Sequence, residues 1–142
     1  MSPVHLVVGH QRSGTSMLCE GCEAGGMTVV QSRERDDYCD SHSTPSYRAN
    51  PRGLYEPSIA QRGQRGFPRM YGGQVVKLVT QWLHNLAVHD YRVTFMRRDV
   101  EEIRQSNRAV GLKVTCEEIA QRVQDALEML NNRRDVEMVE LW

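Results

Sequence analysis

The stretch HLVVGHQRSGTSML, His5 to Leu18, decides how this 142-residue chain reads. The apolar run from His5 to Val8 suits a strand. Gly9 and Gly14 follow with four residues between them, the glycine spacing of a phosphate-binding loop set between a strand and a helix. The lysine that such a loop usually carries after its second glycine is Thr15 here. The positive charge sits inside the loop instead, at Arg12, where a planar guanidinium can fork onto two oxygens of one phosphate group. Backbone N–H groups of Ser13, Gly14, Thr15 and Ser16, at the positive end of the following helix, would complete a cradle for an anion. The plainer reading of the same string is an ordinary strand-to-helix turn capped by Thr15 or Ser13.

Composition narrows the partners. A chain of this length is one domain, able to bury about two-thirds of its unfolded surface. Lys plus Arg equals Asp plus Glu at 18 each, so no global field draws nucleic acid or an anionic membrane, and any anion site must be local. Apolar runs fall far short of a membrane span, and the N-terminus lacks the basic segment and apolar core of a signal peptide. The expected setting is cytoplasmic and reducing, which makes Cys19, Cys22, Cys39 and Cys116 free thiols or ligands rather than a disulfide framework.

Short β-branched runs alternating with helical patterns predict an α/β domain with a short, mainly parallel sheet flanked by helices. Strands are expected at His5–Val8, Met27–Gln31, Gln74–Thr80, Tyr91–Arg97 and Val136–Leu141. A helix starting near Gly14 carries Met17, Leu18 and Cys22 on one side and ends at Gly25-Gly26, where glycine can turn left-handed. Another spans Asp99–Ala109, with acidic residues in its first turn as the helix dipole favours. The last opens with the capping box Thr115-Cys-Glu-Glu118 and carries Ile119, Val123, Ala126, Leu127 and Leu130 at helical spacing. Ser32 to Gly73 reads as loop or disorder, with a short helix after Glu56.

A magnesium-triphosphate site needs the loop lysine and an aspartate closing a neighbouring strand. YRVTFMRRD, Tyr91–Asp99, ends in two arginines before its aspartate. At this point the chain resembles the sulfotransferases that use 3′-phosphoadenylyl sulfate. Their loop after the first strand reads, in many bacterial members, Pro-Arg-Ser-Gly-Thr-Ser, against Gln11-Arg12-Ser13-Gly14-Thr15-Ser16 here. In that family an arginine ending a strand and a serine eight positions later hold the 3′-phosphate. Arg98 and Ser106 stand at that spacing, with Arg97 as the alternative. NPRGLYE and VVKLVTQWL resemble intermediate segments, so the likeness runs from Val4 to Arg108.

The resemblance implies a three-layer P-loop-type domain over residues 1–142, a short or truncated member lacking the usual C-terminal part. It implies 3′-phosphoadenylyl sulfate as co-substrate, no metal, and an acceptor hydroxyl or amine of unknown identity. Arg12, Ser13, Gly14, Thr15, Ser16, Arg98 and Ser106 would bind the nucleotide. Arg12, Glu56 and Lys77 would be catalytic, Glu56 as general base and Lys77 at the bridging oxygen of the leaving group. Val79 occupies the place of the family's histidine base; His84 and His89 are the other base candidates. Lys77 could equally be a strand-end lysine in solvent. A non-catalytic nucleotide-binding or interaction module, in an oligomer or larger assembly, is the alternative, and exposed Trp82 and Trp142 would mark its interface. Cys19-x2-Cys22 and Cys39-x2-His42, with sixteen residues between Cys22 and Cys39, also match the spacing of a tetrahedral zinc site.

Overall fold

The structure, a computed structural model, describes residues 2–32, 36–37 and 54–142. Strands β1 (Val4–Gly9), β2 (Val75–Val79), β3 (Tyr91–Met96) and β4 (Val136–Leu141) form one four-stranded sheet in the order β2-β1-β3-β4. Every pairing is parallel. Parallel neighbours require crossovers, and these contain α1 (Thr15–Ala24), the short α2 (Ile59–Arg62), α3 (Val100–Ala109) and α4 (Cys116–Asn131). Two 3₁₀ turns, Arg69–Tyr71 and Thr80–Asn85, lie on either side of β2.

Strand alternation divides the core between the two faces of the sheet. Val4, Leu6, Val8, Val76, Leu78, Tyr91, Val93 and Phe95 face α4, where Ala126 and Leu130 complete one buried cluster. Burying a side chain such as Leu130 contributes roughly 1.5–3 kcal/mol. On the other face Val7, Val75 and Met96 pack with Cys19 of α1 and with Tyr55. Among the described residues no element covers that face over the β3–β4 half, where Arg92, Glu137 and Val139 stand exposed although parallel sheets are usually covered on both sides.

The helix signals act as the sequence indicates. Thr115 and Glu118 form a reciprocal capping box, and Asp99 accepts from the N–H groups of Glu101 and Glu102. After α1, Gly26 takes φ 91°, and Met27 N donates to Cys22 O while Gly26 N donates to Glu23 O, each at 3.0 Å. This is the paired-bond arrangement that ends a helix on a left-handed glycine. Ser58 and Gln61 cap α2, the short helix expected after Glu56.

Two expectations are corrected. Met27–Gln31 is not a strand: Val29 makes a single parallel bridge to Val75, through Val75 N to Thr28 O and Val30 N to Val75 O. Met17 does not share one side of α1 with Leu18 and Cys22: it is 71% exposed, while Leu18 and Cys22 pack against the cluster around Cys19. Adjacent helical residues point about 100° apart, so Met17 and Leu18 cannot share the middle of one face.

From β1 the chain goes to β2 on one side and then to β3 on the other, so the strand order reverses at β1. Loops leaving such a reversal diverge and open a crevice at the carboxyl ends of the strands. Gly9 is in register with Met96, so the loop Gly9–Thr15 and the strand end at Arg98 lie on the same edge, as the sequence predicts.

Candidate functional site

The crevice holds a cleft of about 200 Å³ whose walls include Arg12, Thr15, Ser16, Glu56, Lys77 and Arg98. Its floor is the loop after β1. Arg12 takes φ 71° and Gly14 φ 97°; the first is an uncommon conformation for a residue with a Cβ, and the second suits glycine. Gly9 is needed for a different reason. A Cβ there would lie 2.3 Å from Ser13 Oγ and 3.0 Å from Thr15 Cγ2. Gly14 is also the N-cap of α1 and provides no side-chain cap, so the first N–H groups of the helix face the cleft without an intrahelical partner.

Arg12 and Ser106 come from opposite ends of the likeness and meet here. Arg12 Nε donates to Ser106 Oγ at 3.1 Å, and Arg98 Nη1 donates to the Arg12 carbonyl at 3.2 Å. Arg98 also pairs with Glu102 at 3.0 Å one helical turn on. Burial, and next the Arg98 charge, lower the pKa of Arg12; a guanidinium nevertheless stays charged. Arg97 points elsewhere: it pairs with Glu140 at 2.5 Å and lies 4.7 Å from the Trp142 ring. The choice between the two arginines therefore falls to Arg98.

Lys77 is no solvent lysine. It is 3% exposed in the middle of β2, with its ammonium bonded to the Leu54 carbonyl, 3.1 Å from Ser16 Oγ and 3.7 Å from Glu56 Oε1. Ser16 Oγ donates in turn to Leu54 O at 3.3 Å. Burial holds the Lys77 pKa below the ordinary lysine value, and the Glu56 carboxylate acts against that shift. Tyr55, between the two anchored residues, takes φ 53°. The strap Leu54–Glu56 is thereby fixed over one wall of the cleft. Val79, at the end of β2, also lines the cleft.

Not every candidate arrives. Ser13 turns its side chain inward; its N–H donates to His10 O at 3.0 Å and its buried Oγ has no partner among the described residues, so of the four N–H groups from Ser13 to Ser16 those of Gly14, Thr15 and Ser16 are left for an anion. His89 lies before β3 at the opposite edge, where its N–H donates to Asp135 Oδ2 at 3.0 Å. His84 is exposed on the 3₁₀ turn after β2 and does not line the cleft. Cys19 is fully buried, and burial pushes its thiol pKa up to about 12. Cys39 and His42 lie outside the described residues, and among the described residues no three His, Cys, Asp or Glu side chains group to hold a metal. Trp82 packs partly buried against the core, whereas Trp142 is 78% exposed.

Two residues beneath the loop escape sequence reasoning. Asn107, fully buried on α3, donates to Gln11 O at 3.3 Å and to Ile103 O at 2.9 Å, tying the helix of Ser106 to the loop of Arg12. Its signal was a lone amide four residues after Ile103 on an apolar stripe. His10, 1% exposed, places Nδ1 2.9 Å from Gln11 O and Nε2 3.5 Å from Arg122 Nη1 of α4. Donation from Nδ1 and acceptance at Nε2 describe a neutral ring, and burial lowers its pKa, Arg122 adding to the effect. No pattern in the sequence singles it out.

Among the described residues no helix is long and apolar enough to cross a membrane. No family model matches the chain, and the searches of curated proteins and of solved structures return no match either.

Proposed function

We propose that this chain is a sulfotransferase of the P-loop type that binds 3′-phosphoadenylyl sulfate and transfers its sulfuryl group to an acceptor hydroxyl or amine. The observation that supports this most is the meeting of Arg12, Arg98 and Ser106. Three residues singled out by two separate motifs stand in one hydrogen-bonded chain at the carboxyl edge of the sheet. Two guanidinium groups, a buried ammonium and an uncapped helix start converge on a cleft that suits an anion. At about 200 Å³ the cleft is smaller than the ~300–1,000 Å³ of a complete small-molecule site. It therefore suits the charged groups of the nucleotide alone, with Arg12 and Lys77 toward the phosphosulfate and Arg98 and Ser106, which line the same cleft, toward the 3′-phosphate.

In the reaction so read, the acceptor oxygen forms a bond to sulfur as the bond between sulfur and the bridging oxygen of the 5′-phosphate breaks. The released electron pair stays on that phosphate, where Arg12, Lys77 and the N–H groups of Gly14 to Ser16 stabilise it. The acceptor proton passes to Glu56. Sulfuryl carries less negative charge than a terminal phosphoryl, so side-chain and backbone donors suffice without a magnesium clamp.

The test is transfer from labelled 3′-phosphoadenylyl sulfate into a broad acceptor extract. Removing a general base costs about 10²–10⁴-fold in rate. Glu56→Gln should thus bind the nucleotide as wild type does and transfer at least a hundredfold more slowly; equal rates would remove Glu56 from the mechanism. A second reading, a non-catalytic interaction module, is favoured by Val139, Leu141 and Trp142. They are 61%, 44% and 78% exposed beside the β3–β4 half of the sheet. Nucleotide binding with no transfer to any acceptor would decide for it.

A further inference from the structure

The cleft at the loop leaves a second, larger cavity unused. About 430 Å³ of space lies between α2 and the 3₁₀ turn Thr80–Asn85, walled chiefly by Ile59, Arg62, Phe67, Trp82 and Leu86, with His84 and Asn85 also lining it. Both walls begin at the anion cleft. Glu56 lines the cleft, and three residues later Ile59 lines the cavity; Val79 lines the cleft, and three residues later Trp82 lines the cavity. Three residues span at most roughly 11 Å, so the two spaces adjoin along Glu56 and Val79. The joint is stiff, because Ser58 and Gln61 close a reciprocal capping box immediately after Glu56.

The lining chemistry is that of a small-molecule site: concave, mainly apolar and aromatic, with few polar groups. Phe67 and Leu86 are buried in the core and present fixed surface. The Arg62 guanidinium lies 3.6 Å over the Trp82 ring, a stacked pair that makes one wall flat. Ile59 is 70% exposed and sits at the rim, a large apolar side chain with no place in either core cluster. Among the described lining residues there is no carboxylate to neutralise an ammonium, and Arg62, His84 and Asn85 are too few hydrogen-bonding side chains to replace the water around a polyol.

We propose that this cavity binds the acceptor, and that the acceptor is an uncharged alcohol on a flat, ring-bearing apolar body whose hydroxyl reaches Glu56. The inference rests on the sulfotransferase reading for the transfer step but not for the binding. The sulfur–oxygen exchange and the proton transfer to Glu56 are those given above, with the ring hydroxyl as the attacking oxygen.

The experiment titrates 4-propylphenol, myo-inositol and 3′,5′-adenosine bisphosphate separately into wild type and Ile59→Glu, by calorimetry. Because Ile59 is mostly exposed, the variant should keep its melting temperature, which is measured alongside. Expected are saturable 4-propylphenol binding to wild type, none detectable for myo-inositol, and at least a tenfold loss of the phenol in Ile59→Glu with the bisphosphate unaffected. Absence of saturable phenol binding, inositol binding as tight as the phenol, or equal phenol affinity in Ile59→Glu overturns the inference. Phenol binding without bisphosphate binding keeps the cavity and overturns the nucleotide reading instead. If Ile59→Glu melts lower than wild type, Trp82→Ala replaces it, with the same tenfold loss expected and equal affinity again counting against the cavity.

Discussion

Replacing Lys77 by Met tests whether the wall of the cleft is built around a buried cation. The side chains of Lys77 and Glu56 are 4% and 8% exposed, so solvent screens the pair little. Removing one member of a buried ion pair costs roughly 3–5 kcal/mol. Met is one heavy atom shorter than Lys but unbranched and of similar volume, so the loss measures charge and hydrogen bonds more than a cavity. For a domain of this size each kcal/mol moves the melting temperature by about 2–4 °C, giving an expected fall of about 6–20 °C. Scanning calorimetry reads it, with the exposed Lys113→Met as control. The sign of the pH dependence is a second readout. Burial depresses the folded pKa of Lys77 below its unfolded value, so between the two the unfolded state binds more protons and stability rises with pH. Wild type should therefore gain on Lys77→Met as pH climbs from the folded pKa toward about 10.5. A melting temperature within 2 °C of the Lys113 control, or a pH dependence shared by wild type and variant, would refute the reasoning.

Gly9→Ala should destabilise the chain by about 1–3 kcal/mol through overpacking, because the new Cβ meets Ser13 Oγ at 2.3 Å and Met96 Cβ at 3.2 Å; a denaturant midpoint equal to wild type would contradict this. Wild type should lose stability as pH falls from about 6.5 toward the lower folded pKa of His10, since over that window the unfolded state takes up the proton that the buried ring beside Arg122 does not. His10→Asn should flatten that part of the profile, and an unchanged slope would exclude His10 as its source.

The elements written in strong periods were legible. Tyr91, Val93 and Phe95 alternate and form the buried face of β3; the Thr115–Glu118 box and the stripe from Ile119 to Leu130 form α4. Arg12, Arg98 and Ser106 were legible as motifs, and their convergence follows from parallel β1 and β3 in register at Gly9 and Met96. Segment 27–31 was not, because β-branched residues signal a preference for extended backbone, while the length of a strand depends on the partner; Val75 pairs with Val29 alone there. Lys77 left a partial signal, a single charge inside VVKLV, but a charge in a strand does not tell whether it is paired or solvated. The contribution of the Leu54 carbonyl carries no side-chain code. Asn107 and His10 act through the backbone of Gln11, a contact set by how α3 and α4 dock rather than by any local pattern.

The most direct measurement is calorimetric titration of the wild-type chain with 3′,5′-adenosine bisphosphate and with AMP, in the absence of magnesium. If Arg98 and Ser106 hold the 3′-phosphate as proposed, their charge-assisted hydrogen bonds would be worth roughly 1.5–3 kcal/mol each. The bisphosphate should therefore bind at least tenfold more tightly than AMP, and Arg12→Ala should weaken it by a similar factor. Equal affinity for the two nucleotides, or no binding of either, would contradict the assignment of this site.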